Sequence, residues 1–410
     1  MRRGNMTGGA VGLLAFLLLA GAMTGCQEDL TAPGECPSLC PGGNSEVFEV
    51  TLNPIPGADS SYMPYFAVAQ GNSLLVSNGL PAAEARAVYR FLPRPDSIEV
   101  RDTLRAYAID SVLLSFQLAA RDTLTDGLKV YLYRLPPTVS DGITFAEVNA
   151  QLVEANIIDS IAVPDSVNVG RIQAVLSGDE LAKVAVPPGS GEPLAVGVSV
   201  GAVQPTGIRL GSSAGGNGAS FVTYVTVDVP DTAVAIVKQQ IARSAGFNTF
   251  VVETPAVTDT TLLTVGGAPS SRALLRFDLP PAIEDSGTIV RATLELTPSA
   301  PILGLPTDPS LLTATAVLAD LGAKSPLTED PTFIAGDTIT PGTSNVVSLD
   351  VTRLVQLWVS SPERPESIFL TLLPEAASFM RPEFGSTRRP DIGVPRLIID
   401  YQMPFPFERP

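Results

Sequence analysis

The chain has 410 residues, a hydrophobic fraction of 45% and a formal net charge of −16. That apolar content is ample for packed cores, so this is not a disordered chain. The acidic balance argues against nucleic acid, whose phosphates are held by basic faces, and against docking on anionic headgroups through a polybasic patch. The chain contains no histidine, which removes Ser-His and Cys-His nucleophile pairs, imidazole metal ligands and the commonest general base together.

In chain order, Arg2 and Arg3 precede an apolar run from Ala10 to Ala22 that ends in Met23-Thr24-Gly25-Cys26. The run is shorter than the ~20 apolar residues that span a bilayer, so residues 1–25 read as a signal peptide. The last four residues resemble the lipobox of bacterial lipoproteins. That resemblance implies lipidation of Cys26 and a stable membrane anchor, because several acyl chains on one residue hold where one is marginal. Gln27 after the cysteine implies an outer-membrane address. Residues 26–45 are rich in Pro, Gly and acidic side chains and read as a tether. Cys36 and Cys40, the remaining cysteines, suggest one small disulfide loop in an oxidising compartment. Without histidine they make a poor zinc site.

The rest of the chain repeats itself. Ser73–Gly79 matches Thr261–Gly267, and Ala85–Pro93 matches Ser271–Pro280, with Arg86, Arg90 and Phe91 falling on Arg272, Arg276 and Phe277. Glu192–Val200 lines up with Glu366–Pro374, and Gly211-Ser212 with Gly385-Ser386. An apolar strand closes each copy, at Phe221–Val227 and Arg396–Tyr401. Blocks in the same order at similar separation mean a duplicated domain. The expected domains are 46–228 and 232–402, with 403–410 as a tail.

Each copy carries short apolar stretches rich in Val, Leu, Ile and Thr, separated by turn residues, as at Ser111–Leu118, Leu128–Leu135, Ala292–Thr297 and Ile368–Leu373. In Ala292–Thr297, Leu294 and Leu296 share one face, while Thr293, Glu295 and Thr297 share the other. Val351, Leu354, Val355 and Trp358 recur at helical spacing after Asp350, a good N-cap, and Ser177–Glu180 has the spacing of a capping box. The expected fold is all-β: two tandem β-sandwiches, each with one short helix.

The second copy resembles the disaggregatase-related, or DNRLRE, domain family. Arg272–Leu279, Ile289–Leu296, Leu349–Trp358, Gly385-Ser386 and Pro395–Tyr401 carry the likeness in family order. It covers roughly Phe247 to Tyr401, and the first copy is more diverged, lacking the tryptophan. The resemblance implies a jelly-roll-like sandwich of secreted and surface proteins, some of which bind acidic or amino polysaccharides.

Candidate chemistry is sparse. No Gly-rich phosphate loop or dinucleotide fingerprint occurs, no spacing picks out a carboxylate pair, and no catalytic residue or metal site is assigned. Trp358 lies on the apolar stripe of its expected helix and reads as core. Tyr62 and Tyr65 fall in a loop, and Tyr131 and Tyr133 on one strand face read as sandwich packing. Arg90 and Arg276 are repeated charges within apolar strands. They are candidates for a guanidinium clamp on a sugar carboxylate, with a structural salt bridge as the competing reading. Asp122–Asp126 could hold a structural calcium, although turn chemistry explains it better, and no other cofactor is expected. The functional expectation is a non-enzymatic, lipid-anchored cell-envelope protein that binds polysaccharide. The alternative is a structural or adhesion lipoprotein contacting envelope proteins; a polysaccharide lyase or glycosidase ranks third.

Overall fold

The computed structural model describes residues 47–63, 71–186, 190–229, 236–253 and 259–403. The chain is all-β with a few short helices, and Val47–Met403 forms one compact unit. The strands begin with β1 (Val47–Leu52), β2 (Ser60–Tyr62), β3 (Ser73–Asn78), β4 (Ala85–Phe91), β5 (Ile98–Val100), β6 (Thr103–Arg105) and β7 (Ala108–Arg121). They continue with β8 (Lys129–Leu135), β9 (Ile157–Ala162), β10 (Gly170–Ser177), β11 (Ala195–Gly201), β12 (Thr206–Gly211), β13 (Ser220–Asp228) and β14 (Ile236–Val252). The later strands are β15 (Leu263–Thr264), β16 (Arg272–Arg276), β17 (Thr288–Leu296), β18 (Ser310–Ala316) and β19 (Ile334–Ile339). Last come β20 (Val347–Asp350), β21 (Ser367–Leu373), β22 (Glu383–Phe384) and β23 (Arg396–Gln402). The helices are α1 (Phe145–Gln151), α2 (Pro281–Ser286) and α3 (Thr352–Ser360).

Two main hydrophobic cores sit between antiparallel sheets. Around the first, the order is β3-β12-β7-β13-β14-β4-β11-β8-β9, with β10 also paired to β7. β14 makes the corner. Its first part pairs with β13 from Asp228↔Ile236 to Ser220↔Ser244; after a bulge between Ala245 and Phe247 its second part pairs with β4. Tyr89 of β4 meets Phe116 of β7 edge-on at 5.2 Å across the layers, and both rings are buried. Around the second core the sheets are β1-β23-β17-β20 and β2-β16-β21-β18-β19, with β15–β22 beside them. The two arrangements match strand for strand, β1 and β2 standing where β14 stands in the first.

The expected repeat blocks occupy matching places. β4 lies antiparallel to β11, and β16 to β21. Leu194 O receives the Phe91 N–H as Glu366 O receives the Phe277 N–H. The Glu192 and Glu366 blocks are therefore offset by two residues, a slip that keeps every side chain on its face and so leaves the pattern unchanged. The Gly-Ser blocks are explained twice over. A Cβ on Gly211 would lie 2.2 Å from Asn217 O, and one on Gly385 2.0 Å from Gly393 O. Ser212 Oγ donates to Gly71 O and accepts from Gly215 N; Ser386 Oγ donates to Thr261 O and accepts from Arg388 N.

Strand pairing does not follow the expected boundary between 228 and 232. The segment that precedes each copy in the chain joins the other copy. β1 pairs with β23 from Val47↔Gln402 to Leu52↔Leu397, and β2 pairs with β16. β14, which precedes the second copy, closes the first. The physical reason is proximity: β14 folds straight back on β13, the nearest partner along the chain. That leaves the edges of β23 and β16 open, and 47–62 caps their unpaired backbone groups. The halves also meet directly. Leu305 and Phe379 are buried in the first core, Thr307 Oγ1 donates to Arg121 O at 2.8 Å, and Arg209 Nη2 meets Asp308 Oδ1 at 2.7 Å.

The helices depart from expectation in part. α3 forms where its periodicity placed it, but its N-cap is Val351 rather than the expected Asp350, whose Oδ1 accepts from Thr352 N just before the first turn. Ser177 opens a 3-10 turn, Gly178–Val184, with no side-chain cap. The capping box lies instead at Thr144 and Glu147, opening α1.

The exchange predicts that 46–228 and 232–402, produced separately, do not fold as independent domains, because each lacks the strands that close it. Two fragments with sharp, separate unfolding transitions and dispersed amide spectra would contradict this. In the intact chain, Leu52→Asp places a charge beside the second core and is expected to cost about 2–4 kcal/mol in denaturant unfolding.

Candidate functional site

The first copy has a hollow at the end of its sandwich. β4 ends at Phe91, and Leu92-Pro93-Arg94-Pro95 carries the chain outward. A proline after Leu92 and another after Arg94 keep both residues out of the helical region, so this edge is extended. β5 and β6 form a hairpin whose turn residues Arg101 and Asp102 both have positive φ, as a tight right-twisted hairpin requires. The chain returns at Tyr107, whose hydroxyl donates to Pro95 O, and Arg243 Nε donates to Pro93 O at 2.8 Å. These bonds pin both sides of the opening.

The hollow measures about 240 Å³, and a second of about 200 Å³ shares Arg94, Ile109 and Val186 with it. Leu194 and Phe221 are buried at its floor, Arg94 and Tyr107 are half-buried in its wall, and Asp96 and Glu192 stand exposed on the rim. The Arg94 guanidinium carbon lies 5.5 Å from the centre of the Phe221 ring. Its Nη1 is buried with no hydrogen-bond partner among the described residues. Burial draws the Arg94 pKa below its ordinary value, and Tyr107 partly offsets this. Burial raises the Tyr107 pKa, Arg94 and Arg243 opposing the shift and Asp96 adding to it. A half-buried guanidinium over an aromatic floor, with hydroxyl and carboxylate groups above it, can hold a small polar ligand.

Arg90 and Arg276 occupy equivalent positions, and both are bound into the fold. Arg90 Nη1 donates to Val139 O, and the guanidinium carbon stands 5.3 Å from the Phe247 ring centre. Arg276 Nη1 donates to Ala58 O, while its Nε and Nη2 grip the two oxygens of Asp320. That carboxylate raises the Arg276 pKa and is itself held below the usual carboxylate range. Each arginine thus ties together an exchanged segment, at Phe247 or Ala58, and the loop after β8 or β18. Arg86 and Arg272 pair with Glu84 and Glu375.

The other expected residues also take structural places. Trp358 is 2% exposed and packs against Phe277 in the second core. Tyr62 lies in β2 rather than a loop, against Phe369, and Tyr65 is outside the described residues. Tyr131 and Tyr133 are the exception: they are half-buried on the face of β8 opposite Val130 and Leu132, which enter the core, so they do not pack inside the sandwich as expected. Asp122 is buried, and its Oδ1 accepts from Leu124 N in a turn. Cys26, Cys36 and Cys40 lie outside the described residues. Among the described residues no group of three or more His, Cys, Asp or Glu is placed to hold a metal ion, and no helix is long and apolar enough to cross a membrane. Arg94 has no counterpart in the second copy, where Pro281 follows Pro280; its signal in the sequence is a lone arginine between prolines after an apolar strand.

At the corresponding end of the second copy, acid groups converge. Glu366 accepts from Leu279 N at 2.6 Å. Burial, then a hydrogen bond to Glu284 and the charges of Glu284 and Asp278, push its carboxyl up to about 7, against the Leu279 N–H. No family model matches the chain, and no curated protein matches it.

Because the folded-state pKa of Glu366 is raised, its contribution to stability is full below about 4.5 and is lost as pH rises through about 7. Glu366→Gln keeps the acceptor for Leu279 and removes the titration. It is expected to be more stable than the natural chain at pH 8 by about 1 kcal/mol, the shift being discounted for a half-exposed group, and equal to it near pH 4. Denaturant midpoints at the two pH values check this; a gap that persists at low pH would assign the effect to packing.

Proposed function

We propose that this chain is a non-enzymatic lipoprotein of the cell envelope, anchored through Cys26 and addressed to the outer membrane, whose β-sandwiches bind polysaccharide. The observation that carries the reading is the hollow of the first copy, where the half-buried side chains of Arg94 and Tyr107 stand together in the wall. Saccharides are held by aromatic faces together with a few fixed donors and acceptors, and this wall supplies both. The resemblance of the second copy to the DNRLRE family supports the same class of ligand.

The interlocked halves favour one second reading, a structural or adhesion lipoprotein that contacts envelope proteins. A body closed by its own exchanged strands resists separation, as a spacer under load must. The carboxylates of Glu284 and Glu366 mark where a lyase or glycosidase activity would be sought.

The test is a glycan array and polysaccharide pull-down with the mature chain in detergent, reducing and unsaturated ends being followed in the same tubes. Binding of at least one polysaccharide without release of new ends is the expected outcome. Silence across neutral, amino and uronic-acid polymers would turn the assignment to the structural reading, and product release would turn it to an enzyme.

A further inference from the structure

The two copies share one strand order, so each supplies a template for the other's interior. In the second copy the sandwich end beyond β16 is filled. α2 begins at Pro281, directly after Pro280, and buries Ile283, while α3 buries Leu354, Val355, Leu357 and Trp358. Trp358 lies 6.3 Å from Phe277, the counterpart of Phe91. Among the described residues of the first copy no α-helix takes either place. Arg94 follows Pro93 where α2 would start, and the β5–β6 hairpin replaces the helix. The 3-10 turn Gly178–Val184 takes the place of α3 after β10 and buries only Val184. The hollows beside Arg94 therefore lie where the second copy keeps its tryptophan and its short helix.

Close packing is the normal state of such an interior, and an apolar replacement would have closed the gap. The first copy instead places a guanidinium there, at a cost: burial lowers the Arg94 pKa, and Nη1 lacks a partner. The two acids at the opening, Asp96 and Glu192, are exposed and screened by water, whereas Arg94 is half-buried, where charge interactions are stronger. About 240 Å³ falls below the range of drug-sized sites, so the hollow takes one ring-sized group, not a long chain segment.

Building on the polysaccharide reading, we infer that the hollow of the first copy is a binding site for a single carboxylate-bearing sugar residue. The acid meets Arg94, the ring lies against Tyr107, and its hydroxyls face the rim acids Glu192 and Asp96. The planar fork of arginine suits a carboxylate, and the rim acids accept hydroxyl protons while repelling a second negative group. In the second copy the equivalent place is filled by Trp358 and Ile283.

The experiment uses the full mature chain in detergent, with glucuronate, glucose and acetate as probes followed by ligand-observed NMR and calorimetry. Glucuronate is expected to bind roughly tenfold or more tightly than glucose, and Arg94→Gln to weaken glucuronate by roughly tenfold or more while leaving the unfolding midpoint near that of the natural chain. Val186→Trp, which fills the hollow from its wall, is expected to abolish binding without touching Arg94. Equal affinity for glucose and glucuronate, or glucuronate binding indifferent to Arg94→Gln, overturns the inference even if polysaccharides bind elsewhere. Arg94-dependent binding of acetate with no binding of any sugar keeps the acid site and overturns the polysaccharide reading beneath it.

Discussion

An open strand edge is the constraint on which the rest of this structure depends. A row of unpaired N–H and C=O groups must find partners, and each copy is closed by the segment that precedes the other copy in the chain. β14 serves the first copy because it follows β13 by a short connection. Among the described residues the second copy then has no local strand for β23 and β16, and segment 47–62, distant in the chain, supplies them. The contacts between the halves follow from this geometry. With ends drawn together, Phe379 and Leu305 enter the first core and Arg209 meets Asp308. Burial raises the Asp308 pKa and Arg209 opposes the shift, so the pair holds only while both partners stay in place.

The arginines repeated inside apolar strands belong to the same device. Arg90 and Arg276 each stand on the outer face of a sheet, and each joins an exchanged segment to a covering loop. Their preservation in both copies reflects a task that both copies share: holding a strand borrowed from elsewhere. A guanidinium suits that task because one planar group reaches several acceptors at once.

Local order was legible where a residue's environment is set by near neighbours. The alternation of Leu294 and Leu296 marked β17, and both side chains are fully buried. The apolar stripe around Trp358 marked α3. The Gly-Ser blocks were visible as repeats, and their cause is a carbonyl too close for any Cβ. The exchange was not legible, because a strand's own pattern shows which face is buried and not which edge it joins. The helix start is hidden for a related reason: Ser177 and Glu180 have the spacing of a capping box, but β10 runs up to Ser177 and a 3-10 turn follows. Thr144-Phe145-Ala146-Glu147 carried the same signature and makes both bonds.

A duplicated chain offers a way to separate folding from function without other sequences. What both copies keep in equivalent places, such as Arg90 with Arg276 and Gly211 with Gly385, answers to the common frame. What one copy changes against the frame needs a separate cause. Replacing a packed tryptophan and a buried helix with a half-buried arginine lowers stability on every count: lost apolar burial, an unfilled volume and a desolvated charge. The interlock makes such a change tolerable, since the first copy is closed by β14 and braced by Phe379 from its neighbour. The copy with the hollow is thus held in shape by the copy with the filled core, and a repeat that need not support itself alone is the one in which a binding site can open.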